Sequence, residues 1–488
     1  MSRYGGALLH ITSLPDRYGI GTLGKTAFEF VDFLSASGLK LWQVLPVSPA
    51  GSGNSPYKPY SSNAGNPLLI DFEELSGFGL IDGDELKQYE GEPRGRIDYH
   101  HVKEYKTRLL KKARQNGIFK KEQQRFFKQH SSWLKDYALF MSVKEVYGGV
   151  PWFEWDYEIR SRNPETMKRL RSELKDYIDY YCFEQMLFYR QWKKLKEYAN
   201  FRGVYIIGDV PIYVSEDSAD VWAHPELFML DAGFLPVSVA GCPPDCFCAE
   251  GQLWGNPLYD WEAHEKTGFL WWRRRLNRAK ELFNIIRIDH FRGFEAFWAV
   301  PFGEETARNG HWMPGPGYKF FKSVKRTGSL KVIAEDLGFL TPDVIRLRDR
   351  CGFPGMKVLQ FAFDSGADNA YLPHNHERNC AVYTGTHDND TVFGWEKSAS
   401  REEVEYALRY LNCGSVCELP WAFIRGAWAS VGRYAIAPMQ DFLCLDTNAR
   451  MNTPGTPTGN WDWQMHSGCL TDNLSRRIYE LSDCYGRL

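Results

Sequence analysis

The chain has 488 residues, and 59 lysines and arginines against 61 aspartates and glutamates leave a formal net charge of -2, which removes a bulk electrostatic case for nucleic acid or an acidic membrane surface. Aromatic residues make up 15%, with 17 Trp and 26 Tyr, a content that suits a sugar-like ligand with apolar faces and polar edges, though aromatics are also ordinary core filler. No stretch approaches the roughly 20 apolar residues of a membrane span, the apolar run at the start is too short for a secretory signal, and eleven scattered cysteines argue against a disulfide framework, so a cytoplasmic protein is expected.

In chain order, Gly6 to His10 and Leu39 to Val47 read as strands, with the helical pattern Ala27, Phe30, Val31, Leu34 between them. Inside this unit Gly19 to Thr26 matches the phosphate-loop pattern G-x-x-x-x-G-K-[ST]. That motif needs its glycine loop directly after the strand, so that amides and a helix N-terminus converge on phosphate. Here seven residues, Thr12 to Tyr18, intervene, and nucleotide binding is not expected. Pro46 to Pro67 is a loop rich in Gly, Pro, Ser and Asn, with Tyr57 and Tyr60 interleaved, and reads as an ordered binding loop.

From Asp84 to Asn200 the sequence is charged and helical in period. The expected division is residues 1–83 for the start of the main domain, 84–176 for a helical insertion, and 177–488 for the remainder, entered through a helix over Phe183 to Tyr198. Val204 to Asp209 is a strand ending on an aspartate, followed by a long loop through Phe247, Gln252, Trp254 and Tyr259. In that loop Cys242, Cys246 and Cys248 cluster, but no second Cys or His pair at matching spacing lies nearby, so reduced thiols are expected and no metal site. Glu262 to Leu282 reads as a helix and Ile285 to Phe291 as a strand. Then come a helix (Tyr318 to Lys325), a strand (Lys331 to Asp336), a helix capped by Thr341, strands at Met356 to Phe363 and Ala381 to Thr386, two helices, and a last strand at Tyr434 to Met439.

Eight strands alternating with helices suit a doubly wound sheet or a (β/α)8 TIM barrel. Asp209, Asp289, Glu335 and Asp388 each fall at or just after the C-terminal end of a different strand. A barrel gathers those ends on one rim, whereas an open sheet spreads them along an edge. A barrel with a helical insertion and long loops at its C-terminal face is therefore expected. Arg287 and Asp289, two residues apart on a strand, point to the same side. A guanidinium there favours an ionised carboxylate, either as a nucleophile or as a buried structural ion pair. Convergent acids with Arg287 and His387 among them, and no phosphate or metal motif in its proper context, point to glycosidic bond chemistry, which sets an ionised carboxylate beside a protonated one.

Stretches along nearly the whole chain resemble the 4-α-glucanotransferase family, called amylomaltase or disproportionating enzyme, of the α-amylase clan. They are G-S-G-N-S-P-Y and S-S-N-A-G-N-P-L-L-I (Gly51 to Ile70), G-D-V-P-I-Y-V (from Gly208), G-Q-L-W-G-N-P-L-Y (from Gly251), R-I-D-H-F-R-G (from Arg287), A-E-D-L-G (from Ala334), T-G-T-H-D-N-D-T (from Thr384) and R-M-N-T-P-G-T-P-T-G-N-W (from Arg450). The resemblance implies that Asp289 is the nucleophile, Glu335 the acid/base and Asp388 the third carboxylate, which holds sugar hydroxyls. It implies further that Ser55, Tyr57, Asp209, Gln252, Trp254, Arg287, His290, Asp336, His387 and Asn460 surround the sugar, that no cofactor is needed, and that the partners are maltooligosaccharides and α-1,4-glucans. Asn54 and Lys58 depart from the family pattern, which bears on chain-length preference. A retaining α-glucan hydrolase and a non-catalytic glucan-binding barrel are the alternatives. Sequence leaves the oligomeric state open.

Overall fold

The computed structural model describes residues 2–91, 93, 95–244, 249–326, 328, 330–338 and 340–488. Eight parallel strands form the core: β1 (Tyr4–Leu8), β2 (Leu41–Gln43), β3 (Tyr205–Val210), β4 (Ile285–Ile288), β5 (Val332–Ala334), β6 (Gly355–Val358), β7 (Cys380–Tyr383) and β8 (Tyr434–Pro438). Their spatial order is β6-β7-β8-β1-β2-β3-β4-β5, so neighbours in sequence are neighbours in space except at the seam between β5 and β6. Two contacts close that seam. Ala334 donates its N–H to Pro354 O at 2.9 Å, and the N–H of Met356 is taken by the Asp336 carboxylate at 2.7 Å. The result is the expected (β/α)8 barrel.

Strand alternation sorts the side chains. Leu8, Leu41, Ile207, Ile285, Ile333, Met356, Tyr383 and Ile436 fill the barrel interior, while Ile286 and Ile288 join the core shared with the surrounding helices. One rung further toward the C-terminal ends, the inward positions become polar: Gln43, Asp209 and Arg287, all buried. Tyr383 donates its hydroxyl to Gln43 Oε1 at 2.8 Å beneath them. The apolar plug therefore ends where the polar floor of a cleft begins.

Between β1 and β2 lies α1 (Lys25–Ala36), which begins at the phosphate-loop lookalike. A Cβ on its N-cap Gly24 would stand 2.6 Å from the Asp71 carboxyl group, and Lys25 is solvent-facing beside Glu29. A carboxylate at the helix start repels phosphate, in line with the reading against nucleotide. Helices α2 (Tyr99–Gln115), α3 (Lys120–Val146) and α4 (Lys175–Phe201) lie between β2 and β3, with α3 packed along α4. Tyr181 on α4 donates to Glu145 on α3 at 2.6 Å. The helix that leads back to the barrel is 27 residues long, extending beyond both ends of the expected Phe183 to Tyr198, and runs unbroken past residues 176 and 177.

Three further features depart from the sequence reading. The segment 262–282 is two helices, Trp261–Lys266 and Leu270–Leu282, because Gly268 and Phe269 both adopt positive φ (61° and 57°) and stop the first. The loop after β3 contains strands Ser238–Cys242 and Gln252–Pro257, which pair with Ala296–Pro301 and His311–Pro314 in a four-stranded antiparallel sheet. A closing helix, Asp472–Cys484, follows the last loop. Cys246, Phe247 and Cys248 lie outside the described residues. No described helix is long and apolar enough to cross a membrane.

Candidate active site

Asp289 follows β4 directly and stays in the ladder, its N–H donating to Val210 O at 3.1 Å. Its carboxylate therefore rises from the same inward row as Arg287. Nη1 of Arg287 donates to Asp289 Oδ1 at 2.9 Å and to Asp209 Oδ2 at 2.6 Å. Asp209 is fully withdrawn from solvent, whereas Asp289 keeps 27% of its side chain exposed. Burial opposes the guanidinium charge, but the carboxylates of Asp209 and Asp289 outweigh it and hold Arg287 well above its ordinary value. One cation thus serves a buried acid and an exposed one, and only the exposed one can reach a ligand.

Glu335 stands one strand over, at the end of β5. Its Oε2 accepts the N–H of His290 at 2.6 Å and its Oε1 that of Leu337 at 2.8 Å. Withdrawal from water pushes its pKa up to about 7; Arg287 and the two backbone donors oppose this, and the charge of Asp289 adds to it. Near neutral pH it is therefore half protonated while Arg287 pairs with its neighbour. His290, which supplies the N–H, sits in the left-handed region at φ 47°, ψ 52°, a conformation uncommon outside glycine and found at sites that need it. Burial lowers its pKa to about 4, so its ring is neutral. The Trp254 ring meets that imidazole edge-on at 4.7 Å, which places the long loop after β3 over the Asp289 side of the mouth.

On the other side Asp388 follows β7. His387 Nε2 is 3.3 Å from Asp388 Oδ2, and the His387 ring stacks on Tyr57 with centroids 5.1 Å apart. Tyr57 in turn donates its hydroxyl to Asp209 Oδ2 at 2.8 Å. Burial, then the charge of Asp209, raises the Tyr57 pKa well above its ordinary value, so the phenol stays a donor. The chain Asp388, His387, Tyr57, Asp209, Arg287, Asp289 is continuous, and strand ends from β3, β4 and β7 and the loop after β2 meet in it.

The remaining expected contacts divide. Ser55 accepts the Tyr57 N–H at 3.3 Å and shapes its turn. Gln252 accepts from Trp254 Nε1 at 3.1 Å. Asn460 is occupied within its own loop, accepting from Thr453 N–H and donating to Thr456. Asp336, expected to touch sugar, is not brought to the mouth. It is buried in the barrel wall, with one oxygen on Arg348 Nη1 at 2.8 Å and the other on Met356 N–H. Sequence reasoning missed Asn452, whose Nδ2 donates to Asp388 Oδ1 at 2.6 Å, and Arg450, which donates to the Asp388 carbonyl at 2.6 Å. Both lie in the Arg450-to-Trp461 stretch that carries the resemblance, but that stretch contains three asparagine or tryptophan candidates and spacing does not choose among them. His10, after β1, is neutral as well, held down to about 3 by burial and by His387.

Comparison with known proteins bears on the whole chain. A family model described as 4-alpha-glucanotransferase matches residues 9–471. The 4-alpha-glucanotransferase of Clostridium butyricum is 46% identical over 98% of this chain and 100% of its own. The chloroplastic/amyloplastic 4-alpha-glucanotransferase of Solanum tuberosum is 46% identical over 100% of this chain and 87% of its own. Among solved structures, the amylomaltase from Streptococcus agalactiae in complex with acarbose superposes with a TM-score of 0.97 at 39% identity, with all of both chains covered. With that agreement in length, sequence and fold, the chain belongs to the 4-alpha-glucanotransferase family of glucan-transferring enzymes.

Proposed function

We propose that the enzyme moves segments of α-1,4-glucan from a donor maltooligosaccharide or starch-type glucan to the 4-hydroxyl of an acceptor glucan or glucose, with retention at the anomeric carbon. The observation that carries this reading is the pair of unlike carboxyls: Asp289 ion-paired to Arg287 at 2.9 Å, and Glu335 pushed up to about 7. Asp289 attacks the anomeric carbon, and Glu335 gives its proton to the departing glycosidic oxygen. A covalent glycosyl-enzyme forms, and Glu335, now ionised, takes the proton of the incoming hydroxyl. Asp388, half exposed beside His387, accepts hydrogen bonds from ring hydroxyls that strengthen as the sugar flattens. Arg287, Tyr57 and Asp209 keep the nucleophile aimed.

Whether water or sugar discharges the intermediate decides between hydrolysis and transfer. The loops that carry Trp254 and Tyr57 cover the mouth with aromatic rings, which disfavours a lone water and offers stacking surface to a sugar. The test is incubation with maltotriose. Glucose and longer oligomers without a net rise in reducing ends are expected, and a steady rise would make the protein an α-glucan hydrolase. The same reading places the enzyme in the cytoplasm, where thiols such as the buried Cys182, Cys351 and Cys380 stay reduced.

A further inference from the structure

Trp461 is the one tryptophan with positive φ, at 66°, among the described residues, a backbone state that a bulky side chain reaches only under constraint. The constraint is visible on both sides. Its N–H donates to Met451 O at 2.8 Å, and its carbonyl accepts the hydroxyl of Tyr99, the first residue of α2, at 2.8 Å. The next residue is held to the same segment: Ile97 N–H donates to Asp462 O at 2.8 Å, and Arg96 Nη1 reaches the Asp462 carboxylate at 2.7 Å. So fixed, the indole is 8% exposed and lies against Tyr57 and His387, with centroids 5.7 and 5.9 Å away. Together with the 5.1 Å Tyr57–His387 stack, the three rings form a closed triangle.

His387 faces Asp388, and Tyr57 is the ring of the three that hydrogen-bonds to Asp209, the inner partner of Arg287. His387 stacks on the Tyr57 ring at 5.1 Å, and Trp461, itself 5.9 Å from His387, meets the same ring at 5.7 Å and 43°, so the two neighbours together fix its tilt. From this geometry we infer that Trp461 is a positioning residue for Tyr57, and that the helices inserted between β2 and β3 act on the chemistry through it by the Tyr99 hydroxyl. The inserted helices thereby have a role in turnover that packing alone does not require. The line of action is Tyr99 to the Trp461 backbone, the Trp461 ring to Tyr57, Tyr57 to Asp209, and Arg287 to the nucleophile.

The inference rests on the transfer reading above, and the parent enzyme separates the two: if the parent does not disproportionate maltotriose, that reading fails first. The test compares Tyr99→Phe, Trp461→Ala and Tyr57→Phe, singly and in pairs, by glucose release from maltotriose and by thermal midpoint. Tyr99→Phe keeps the ring and removes only the hydroxyl. It should lower kcat about five- to tenfold with KM within about twofold, the split expected when an aligned group is lost rather than a binding contact. In the Tyr57→Phe background the same change should cost less than about twofold, because the path is already cut. Trp461→Ala should follow the same pattern with a larger single effect. Should it fold poorly, Tyr99→Phe decides alone. An unchanged kcat for Tyr99→Phe, or equal losses with and without the Tyr57 hydroxyl, would overturn the inference, since a purely structural anchor predicts independent effects.

Discussion

The shared Arg287 guanidinium makes Asp209→Asn an informative single change. The substitution keeps the shape and removes one of two negative charges that meet Nη1, at 2.6 Å for Asp209 and 2.9 Å for Asp289. Both members of the inner pair are withdrawn from water, with 4% and 0% of their side chains exposed. Removing one partner of a buried pair costs about 3 to 5 kcal/mol when the survivor is stranded. Arg287 is not stranded, because Asp289 remains, and burial raises the Asp209 pKa, so part of its charge was costly to keep. The net loss should fall just below that range, at about 2 to 3 kcal/mol in urea unfolding. Turnover should fall further than stability implies. With residue 209 neutral, Arg287 swings its full attraction onto Asp289; the amide oxygen can replace Oδ2 for Arg287 and Tyr57 only as a weaker, uncharged acceptor, and the amide nitrogen then replaces Oδ1, which has no hydrogen-bond partner among the described residues. A kcat loss on maltotriose of about 30- to 150-fold corresponds to roughly 2 to 3 kcal/mol at 1.4 kcal/mol per decade. Tyr57→Phe removes one hydrogen bond to a charged acceptor and leaves all three charges, so it should cost about tenfold. If Asp209→Asn retains parent kcat, the buried pair is scaffold only, and the claim that Asp209 tunes the nucleophile through Arg287 is refuted.

Asp289→Ala should abolish both transfer and hydrolysis while maltotriose binding stays measurable by calorimetry; full residual turnover would remove Asp289 from the reaction. Because Glu335 must be protonated to act as the acid and its pKa is raised to about 7, kcat/KM should fall about tenfold per pH unit above neutrality, which a pH-rate profile on maltotriose reads. The same raised value means that the folded state holds a proton the unfolded chain releases at its ordinary carboxyl value of 4.5. Stability contributed by this group is therefore greatest in acid and declines as pH rises from about 4.5 to 7, by about 3 kcal/mol at 1.36 kcal/mol per unit. Retention is checked by proton NMR of the first product anomer: an α-product is expected, and a β-product would require inversion.

The barrel was legible because its signals are local: apolar runs of strand length, helical periods between them, and carboxyl groups where runs end. Strand ends were over-read, as at Met356 to Phe363, where the strand stops at Val358 and a 3-10 turn, Leu359–Phe361, carries on the apolar pattern. The antiparallel sheet over 238–314 was invisible. Its two local pairs are joined through Ser238–Cys242 and Ala296–Pro301, which lie about sixty residues apart, and Gly241, Gly255 and Pro257 within its strands read as loop. The carboxyl groups that meet at the mouth were legible from their place at strand ends, and the aromatic triangle was not. Nothing in the spacing of Tyr57, His387 and Trp461 announces that they meet, since each link is long-range.

Glu335 and Asp336 show how far one residue of register divides chemistry. Both end the same strand, and composition treats them alike. The pleat turns Glu335 inward, where its N–H still donates to Ile288 O and its carboxyl meets two backbone donors. It turns Asp336 toward β6, where a carboxylate oxygen takes the place of a strand carbonyl for Met356 N–H and pairs with Arg348, 6% exposed. The inner acid is left to titrate; the outer one is locked and closes the barrel. Asp336→Asn should therefore lower the thermal midpoint, because a buried guanidinium loses its inner partner while Asp349 and Glu377 hold only its outer edge. Turnover per folded molecule should stay within about threefold of the parent. Were Asp336 instead a sugar ligand, the same variant would raise KM for maltotriose at unchanged stability, and the division of labour between the two acids would be wrong.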